Sequence, residues 1–375
     1  MHLKKQLSDR SSNTRNHLGY VSASSSGVKF EEISYKNLKK IIDEKLQTNK
    51  NYRCQIDPAS TKTVLNNYKL LTLHFNPVYI YYFNSDVIVN TKNSAVFSLT
   101  GYPYTETLYN GKFSLYKNDL PEITKLSNLE TINNLIALSN PRWHGYFHRL
   151  TESSLNLYTL LKFFKSSKKF FLQNKQIENI DFISDLFKPQ HQISTSDKFI
   201  LAKSVLTSNL LYSNDVTPYY AIDFKKDILD EICVDTQKKR SRKIYSTRNH
   251  LCKRPIANQY QIENYFQQIG YEIVDFDKMS FVEQIKLAHS ASIIAGPHGA
   301  NLANAFFANK GTKLLEIIPS GPEMGLRKNF RGYERIASQF ELNYFKYTNT
   351  GEIDPQKECT IDLDQLSSFM RSYSL

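Results

Sequence analysis

The second half of the chain alternates short apolar runs with amphipathic stretches. Uninterrupted apolar runs are typical of buried strands, whereas apolar residues that recur at helical spacing indicate helices. The pattern predicts strands at Lys243–Thr247, Tyr271–Asp275, Ala291–Ala295 and Lys313–Ile318, and helices at Asn258–Ile269, Ser280–His289 and Asn301–Phe307. This alternating order of strands and helices predicts a parallel, doubly wound sheet.

Local signals mark the ends of two of these helices. Gly270 follows Asn258–Ile269, in the position where a glycine commonly ends a helix. Ser280 and Glu283 form the S-x-x-E pattern of a capping box, which predicts that a helix begins directly after Ser280.

The first half of the chain carries weaker signals. Runs rich in Val, Ile, Tyr and Phe predict strands. Asn140-Pro141 is typical of a helix start, although Gly145 weakens the turn that follows. The predicted elements are strands at Val78–Phe83, Asp86–Asn90, Ala95–Leu99 and Lys169–Leu172, helices at Pro141–Phe164 and Ile177–Phe187, and a strand–helix pair across Gln192–Leu211.

The length of 375 residues suits two domains of about 150–200 residues each. Pro218 lies in a weakly patterned junction, which predicts domains at residues 28–217 and 218–375. Residues 1–27 are rich in serine and contain no apolar run, so we expect a flexible tail rather than a signal peptide.

The net charge of +12 favours a polyanionic partner. Nucleic acid, anionic lipid headgroups and phosphorylated substrates all fit, and a basic surface that only aids solubility is the alternative. The 4 cysteines include no C-x-x-C pair, which argues against a zinc ribbon and fits a reducing cytosol. No apolar run reaches the roughly 18 residues of a membrane span. We therefore expect a cytoplasmic protein, with a peripheral contact to an anionic membrane surface as a secondary expectation.

The segment Ala291–Asn304 is the strongest candidate site. A buried strand runs into Gly296 and Gly299 and then directly into a helix, and His298 stands between the two glycines. Small residues let a ligand approach the backbone, and a helix start offers unpaired N–H groups to an anion. Open α/β sheets bind ligands at the carboxyl ends of their strands. A plain tight turn is the alternative, because G-x-x-G alone is a weak pattern.

Charged residues accompany the neighbouring predicted strands. Arg248 lies just past a strand end, where a guanidinium can clamp a diphosphate through two hydrogen bonds. The basic run at 238–243 before it is more typical of a solvated surface. Glu316 lies inside an apolar strand, where a carboxylate is costly unless it is paired. Binding of a ribose and pairing with a structural arginine both stay open for Glu316.

His144, His148 and Glu152 repeat every four residues, so a helix places them on one face. His148 or Glu152 is then a candidate general base for a substrate hydroxyl. Ordinary surface polarity is one alternative. A zinc site is another, since two histidines and a carboxylate at this spacing can hold the metal.

Five motifs in the second half occur in a distinctive order. They are Ile244–Arg248, Arg254–Asn258, Ser280–Gln284, Gly296–Asn304 with the sequence GPHGANLAN, and Leu315-Glu316. From Lys243 to Pro319 this order resembles glycosyltransferase family 61, which has an arginine strand, a G-x-H-G-A-x-L-x-N turn and a glutamate strand. Tyr146–Glu152 is similar to the family's histidine-and-acid helix, and the chain before it shares only a strand-rich character.

The resemblance implies a GT-B type fold, in which two Rossmann-like α/β domains face each other across a cleft. Residues 28–217 would form the acceptor-side domain, and residues 218–375 would bind the nucleotide sugar. Arg248 and His298 would face the donor diphosphate, Asn304 would brace the loop and Glu316 would hold the ribose. The implied donor-binding residues are Arg248, Arg254, Asn258, Gly296, His298, Gly299, Ala300, Asn304 and Glu316. The catalytic candidates are His148 and Glu152, with no metal and no cofactor besides the nucleotide sugar as co-substrate.

Two positions depart from the family pattern. Gln259 follows Asn258 where members often have a glutamate, which removes an acidic role at position 259. Arg149 follows His148 where members often have an aromatic residue, which bears on acceptor preference.

The expected activity is inverting transfer of a sugar from a nucleotide-sugar donor to a hydroxyl of a glycan or glycolipid acceptor. The family likeness suggests biosynthesis of capsule or another surface polysaccharide. A non-catalytic binding or scaffold protein with the same fold is the alternative. A nicotinamide-dependent dehydrogenase would need G-x-G-x-x-G after a strand, which is absent. A nucleic-acid-binding protein would need exposed aromatics among its basic residues, whereas these aromatics fall at core positions.

Overall fold

The structure is a computed structural model. It describes residues 30–44, 50–57, 60–67, 69–75, 78–91, 94–101, 103–104, 107, 121, 127–137, 145–163, 171–173, 192–193, 197–209, 221–234, 241–248, 256–319, 331–350 and 359–375.

The chain divides into two compact units. The first comprises Met1–Pro58 and Pro77–Asn214, and the second comprises Ala59–Asn76 and Asp215–Leu375. The segment 59–76 therefore belongs to the second unit, whereas the sequence analysis placed it within residues 28–217. The assignment of acceptor and donor roles to two domains stays a prediction.

The strands and helices of the described residues are as follows. The strands are β1 (Phe30–Glu32), β2 (Asn51–Asp57), β3 (Ser60–Asn66), β4 (Lys69–Phe75), β5 (Val78–Phe83), β6 (Val87–Asn90), β7 (Val96–Phe97), β8 (Thr131–Ile132), β9 (Leu135–Ile136), β10 (Phe171–Gln173), β11 (Gln192–Ile193), β12 (Phe199–Ala202), β13 (Val205–Ser208), β14 (Arg242–Ser246), β15 (Glu272–Val274), β16 (Ala291–Pro297), β17 (Lys313–Ile318) and β18 (Asn343–Thr348). The α-helices are α1 (Tyr35–Asp43), α2 (Tyr146–His148, a π-helical segment Arg149–Ser154, and Leu155–Phe163), α3 (Ala221–Glu231), α4 (Gln259–Gln268), α5 (Phe281–Ser290), α6 (Gly332–Gln339) and α7 (Leu363–Ser372). Two 3₁₀ segments span Phe276–Lys278 and Ala300–Phe307.

The first unit contains two mixed sheets among its described strands. The larger has the order β1-β2-β5-β13-β9-β10-β11, with antiparallel pairing on both sides of β5. The smaller has the order β7-β6-β12-β8. A buried cluster that includes Phe83, Val89, Leu135 and Val205 forms the core of this unit.

The second unit has one sheet with the order β15-β14-β16-β17-β18-β3-β4. The first five strands are parallel, and their order is that of flavodoxin-like doubly wound sheets. The hairpin of β3 and β4 extends this sheet beyond β18. On one face, α4 and α7 cover a core in which the rings of Tyr245 and Phe266 stack 4.2 Å apart.

Most of the predicted elements of the second half are confirmed. Strands occur at all four predicted places, and Gly270 ends α4 with a φ of +87°. Ser280 and Glu283 form both hydrogen bonds of the capping box at the start of α5. The predicted helix at Asn301–Phe307 is a 3₁₀ segment, Ala300–Phe307. The α/β class is thus confirmed, and the GT-B arrangement stays a prediction.

In the first half, the strand Val78–Phe83 is confirmed, and strands also occur within Asp86–Asn90 and Ala95–Leu99. The helix predicted from Pro141 begins at Tyr146, after Gly145, within the described residues. The helix at Ile177–Phe187 lies outside the described residues.

The strand–helix pair across Gln192–Leu211 is wrong for the described part of that segment, which forms β11, β12 and β13. All four residues of β13 are buried. Periodicity alone cannot distinguish such a buried strand from a buried helix.

No helix within the described ranges combines the length and apolar character needed to cross a lipid bilayer.

Candidate active site

The strand order of the second unit creates a crevice between β14 and β16. After β14 the chain moves to β15 on one side, and it then returns to β16 on the other side. Ligands bind at such a switch point, outside the carboxyl ends of the strands. Arg248 follows β14 at this edge, and His298 and Gly299 follow β16. The topology therefore brings together three residues that the sequence analysis assigned to one site.

Two glycines are required here by space. A Cβ atom at Gly296 would lie 2.9 Å from the carbonyl oxygen of Ser246 in β14. A Cβ atom at Gly299 would lie 2.5 Å from Nη2 of Arg248, so the guanidinium lies directly against the Gly299 backbone. The φ of Gly299 is 177°, an extended conformation open to any residue. The G-x-x-G pattern thus makes room for a neighbouring strand and for the Arg248 side chain.

The backbone at Arg248 is held from the start of α4. Gln259 Nε2 donates to the Arg248 carbonyl at 2.7 Å and to Thr247 Oγ1 at 2.8 Å. The same amide donates to Glu263 Oε1 at 2.8 Å, and the Thr247 hydroxyl also donates to Glu263. The sequence analysis assigned no role to Gln259, although it noted the departure from glutamate at this position. Three oxygens lie within hydrogen-bonding distance of the two N–H groups of this amide, and an ionised glutamate could donate to none of them.

His298 lies in a buried polar cluster. The side chain is 3% exposed, its Nδ1 hydrogen-bonds Oε1 of Glu316, and its backbone N–H donates to the Ile317 carbonyl at 2.7 Å. The other carboxylate oxygen of Glu316 accepts from the Tyr344 hydroxyl. Of the two roles left open for Glu316, these contacts correspond to pairing, with a histidine where an arginine was expected. The ribose-binding role that the family resemblance implies stays a prediction.

Tyr333 of α6 completes the surroundings of His298. Its ring meets the imidazole edge-on, with the centroids 5.7 Å apart, and its hydroxyl donates to the Gly299 carbonyl. The sequence analysis did not identify Tyr333 or Tyr344, because their contact with the site depends on strand and helix order.

Two asparagines assigned to donor binding make contacts within the protein. Asn304 Nδ2 donates to Gln284 Oε1 and to the Asn301 carbonyl, both at 3.1 Å. These contacts correspond to the predicted role of Asn304 in bracing the turn. Asn258 exchanges two hydrogen bonds with the backbone of Ile361, at 2.8 and 2.9 Å. These contacts join two parts of the protein, and the donor contact that the resemblance implies for Asn258 stays a prediction. Ala300 is exposed at the start of the 3₁₀ segment.

Several predicted residues lie outside the described ranges. They are Arg254, His144 and the basic residues at 238–240. Arg242, from the same basic run, hydrogen-bonds the carboxylate of Glu272, which holds the pKa of that carboxylate below its usual value. This pairing corresponds to the surface role favoured for the run.

The first unit contains a second histidine–carboxylate pair, in α2. His148 Nδ1 lies 2.7 Å from Glu152 Oε1. The Glu152 side chain is 1% exposed, whereas that of His148 is 20% exposed. Residues 149–154 are π-helical, with the Ser154 hydroxyl donating to the Arg149 carbonyl at 2.8 Å. Such π-helical turns are frequent at functional sites.

The described residues contain no group of three or more His, Cys, Asp or Glu side chains placed to hold a metal ion. Because His144 is not among them, the zinc alternative for the predicted trio stays open.

A sheet with a switch-point crevice, bordered by an arginine, a histidine and closely packed glycines, defines an α/β protein with a site suited to an anionic ligand. The family model Glycosyltransferase 61 matches residues 118–315, more than half of the chain. The chain belongs to this family, which confirms the resemblance and makes the protein a glycosyltransferase, an enzyme with a sugar donor and an acceptor. Comparison with curated proteins gives no match. The matched residues include His148, Glu152, Arg248 and His298 and end one residue before Glu316.

Proposed function

We propose that this protein transfers a sugar from a nucleotide-sugar donor to a hydroxyl of a glycan acceptor, with inversion and without a metal. The observation that carries the proposal is the position of Arg248, whose guanidinium lies against the Gly299 backbone at the switch point of the second sheet. A guanidinium donates two parallel hydrogen bonds to phosphate oxygens, so this edge of the sheet suits a diphosphate.

The reaction in this proposal is a single displacement. The acceptor oxygen forms a bond to the anomeric carbon, and the bond from that carbon to the diphosphate breaks. The leaving nucleoside diphosphate gains negative charge as its bond breaks. Arg248 and His298 are the groups that we assign to this charge, because donors already in place stabilise a developing charge most effectively.

The acceptor proton requires a base, and we assign it to His148 with Glu152 as its positioning residue. A neutral imidazole whose Nδ1–H is donated to a carboxylate accepts a proton at Nε2. The difference in exposure supports this order of roles, since Glu152 is buried and His148 is partly exposed. Both residues were candidates from the sequence, and their contact and different exposure support this assignment of the two roles. Surface polysaccharide biosynthesis, as the family likeness suggests, is the setting that we propose.

The function is tested by a donor screen followed by an assay of transfer. Purified protein is tested against a panel of nucleotide sugars by thermal shift, and the stabilising donor is then assayed for hydrolysis and transfer with and without excess EDTA. We expect one donor class to raise Tm and activity to persist in EDTA. Activity that is lost in EDTA and restored by manganese or magnesium would contradict the metal-independent mechanism. Donor binding without any turnover would favour a non-catalytic binding protein.

A further inference from the structure

Side chains on, or directly after, three adjacent parallel strands form one buried chain of hydrogen bonds that ends at His298. Glu316 of β17 pairs in register with Gly296 of β16, two residues before His298, and with Lys346 of β18, two residues after Tyr344. Residues two apart on a strand point to the same face. This register places the Glu316 carboxylate between the imidazole and the Tyr344 hydroxyl, with one oxygen bonded to each.

All three side chains are almost fully buried. The exposed fractions are 2% for His298, 1% for Glu316 and 0% for Tyr344. Burial, and then the nearby Glu316 charge, holds the pKa of Tyr344 far above its usual value, so the phenol keeps its proton and donates. An imidazole N–H and a phenol O–H are therefore the two donors that compensate the buried carboxylate.

A carboxylate is not needed to fill this part of the core, because apolar side chains would pack there as well. Glu316 is flanked on its face of β17 by Leu314 and Ile318, both fully buried apolar residues. Well-packed apolar residues in place of buried ionic groups are often neutral or stabilising, so a buried carboxylate is weak support for stability. The buried carboxylate here instead affects the orientation of the side chains that are bonded to it. The carboxylate holds His298 by Nδ1, and Tyr344 holds the carboxylate.

We propose that Tyr344 and Glu316 are positioning residues that hold the His298 imidazole in one orientation toward the donor diphosphate. The inference rests on the proposed function, because His298 must contact the donor for its orientation to affect turnover. With Nδ1–H donated to Glu316, the imidazole reaches the diphosphate through Nε2, which donates to it when the ring is the imidazolium form paired with the Glu316 carboxylate. Tyr344 does not touch the substrate, and it acts by preventing the Glu316 carboxylate from turning away from His298.

The test compares Tyr344→Phe and Glu316→Gln with Tyr347→Phe. Tyr347 lies on the same strand with its side chain on the other face, in the core beneath α7, and its hydroxyl donates to the Asp362 carbonyl at 3.4 Å. The control thus loses a hydroxyl from β18 without a change to the His298 cluster. Donor turnover and the imidazole N–H proton resonances of ¹⁵N-histidine-labelled full-length protein are measured, with the His298 signal assigned by its loss in His298→Gln.

We expect the His298 Nδ1–H signal to be unchanged in Tyr347→Phe, and to shift or broaden in both Tyr344→Phe and Glu316→Gln. Hydrogen-bond partners that orient metal-binding histidines typically contribute 10–100-fold, and we expect an effect of the same order here: kcat/KM for the donor should fall roughly tenfold in Tyr344→Phe and further in Glu316→Gln. The Tyr347→Phe protein should stay within about twofold of the parent, as expected for a change away from the site.

A His298 signal that is the same in all three variants would overturn the inference, whatever the turnover. A shifted signal with parental kcat/KM in Tyr344→Phe would also overturn it. Failure of the proposed function has a different signature, which is parental turnover in His298→Ala itself. If Glu316→Gln does not fold, Tyr344→Phe decides the outcome, since it removes one atom and leaves the carboxylate in place.

Discussion

At the scale of single residues, Gly299 allows the Arg248 guanidinium after β14 to lie against the turn after β16. Any side chain at this position would displace the Arg248 guanidinium, whose Nη2 would lie 2.5 Å from the new Cβ atom. We predict that Gly299→Ala weakens donor binding roughly tenfold, since hydrogen bonds to charged groups contribute about 1.5–3 kcal/mol. Tm should change little, because the displaced atoms are at the end of a flexible side chain. Calorimetry with the donor, beside a thermal melt, measures both effects.

A double-mutant cycle provides the control for this prediction. In an Arg248→Ala background, Gly299→Ala should have almost no further effect on donor binding, because the group that it displaces is gone. Equal losses in both backgrounds would show that Gly299 acts independently of Arg248.

The His148–Glu152 pair predicts two different losses. His148→Ala removes the proposed base and should lower kcat roughly 10²-fold with little change in donor affinity. Glu152→Gln keeps an acceptor for Nδ1–H and should lower kcat less, roughly tenfold. The measurement is kcat beside the donor Kd. Ser153→Ala, in the same π-helical segment, is the control, because the Ser153 hydroxyl has no hydrogen-bond partner within the described structure.

Normal turnover in both variants would place the base elsewhere and leave the helix as a structural element. A larger loss in Glu152→Gln than in His148→Ala would reverse the proposed order of roles.

At the scale of elements, the 3₁₀ segment Ala300–Phe307 depends on the buried amide of Asn304. Asn304→Ala leaves the Gln284 and Asn301 oxygens without this donor. We predict a loss of about 1–3 kcal/mol in the free energy of unfolding, and weaker donor binding because the turn at His298 is no longer braced. Denaturant melts and donor calorimetry check the two parts.

Asn309→Ala is the control for this prediction. Asn309 donates to the His289 carbonyl at 2.8 Å, beyond the other end of the same segment. The Asn309→Ala protein should lose stability but keep the donor Kd of the parent. A similar loss of donor affinity in both variants would mean that general destabilisation, rather than the brace, weakens binding.

The element scale also shows what the sequence can predict. Apolar runs and caps identified β14 to β17, α4 and α5, because each pattern reports burial within a single element. The same patterns did not resolve β12 and β13. In β13 the residues on both faces are buried, so the alternation disappears. Arg248, His298 and Glu152 were predicted because they lie beside recognisable strand ends or helical repeats. Gln259, Tyr333 and Tyr344 were missed because they reach the site from other elements.

At the scale of the whole molecule, the hairpin of β3 and β4 joins the second sheet although it lies near the start of the chain. Asn67 exchanges two hydrogen bonds with the backbone of Lys346 in β18, at 2.9 and 3.1 Å. Asn66 donates to Glu334 of α6 at 3.2 Å. Neither the hydrophobic pattern nor the motifs indicate this pairing, because strand order across more than 250 intervening residues has no local signature.

Glu334, where the hairpin meets α6, predicts a pH effect on stability. Burial raises the pKa of Glu334 in the folded protein. The charges of Lys346 and Arg331 lower it by less, and the Glu316 charge adds to the upward shift. The charged carboxylate therefore destabilises the fold above its folded pKa, and the penalty disappears as pH falls below the unfolded value of about 4.3. We predict that Glu334→Gln is more stable than the parent at pH 7 and that the difference closes toward pH 4.

Chemical denaturation of both proteins across this pH range gives the comparison. Glu341→Gln, which changes an exposed carboxylate just after α6, should differ little from the parent at any pH in the range. A Glu334→Gln protein that is less stable at pH 7 would show that the ion pair with Arg331, at 3.7 Å, outweighs the cost of burial.

We propose that the crevice at the end of β14 binds the donor diphosphate through Arg248 and His298. The most direct test is calorimetry of the donor, in excess EDTA, with the parent, Arg248→Ala, His298→Ala and Arg242→Ala. Arg242 is the matched control, since it lies at the other end of β14 and its loss changes the net charge equally. We predict that Arg248→Ala and His298→Ala each raise Kd roughly tenfold or more, with Arg242→Ala within about twofold of the parent. Parental donor affinity in both Arg248→Ala and His298→Ala would contradict the account.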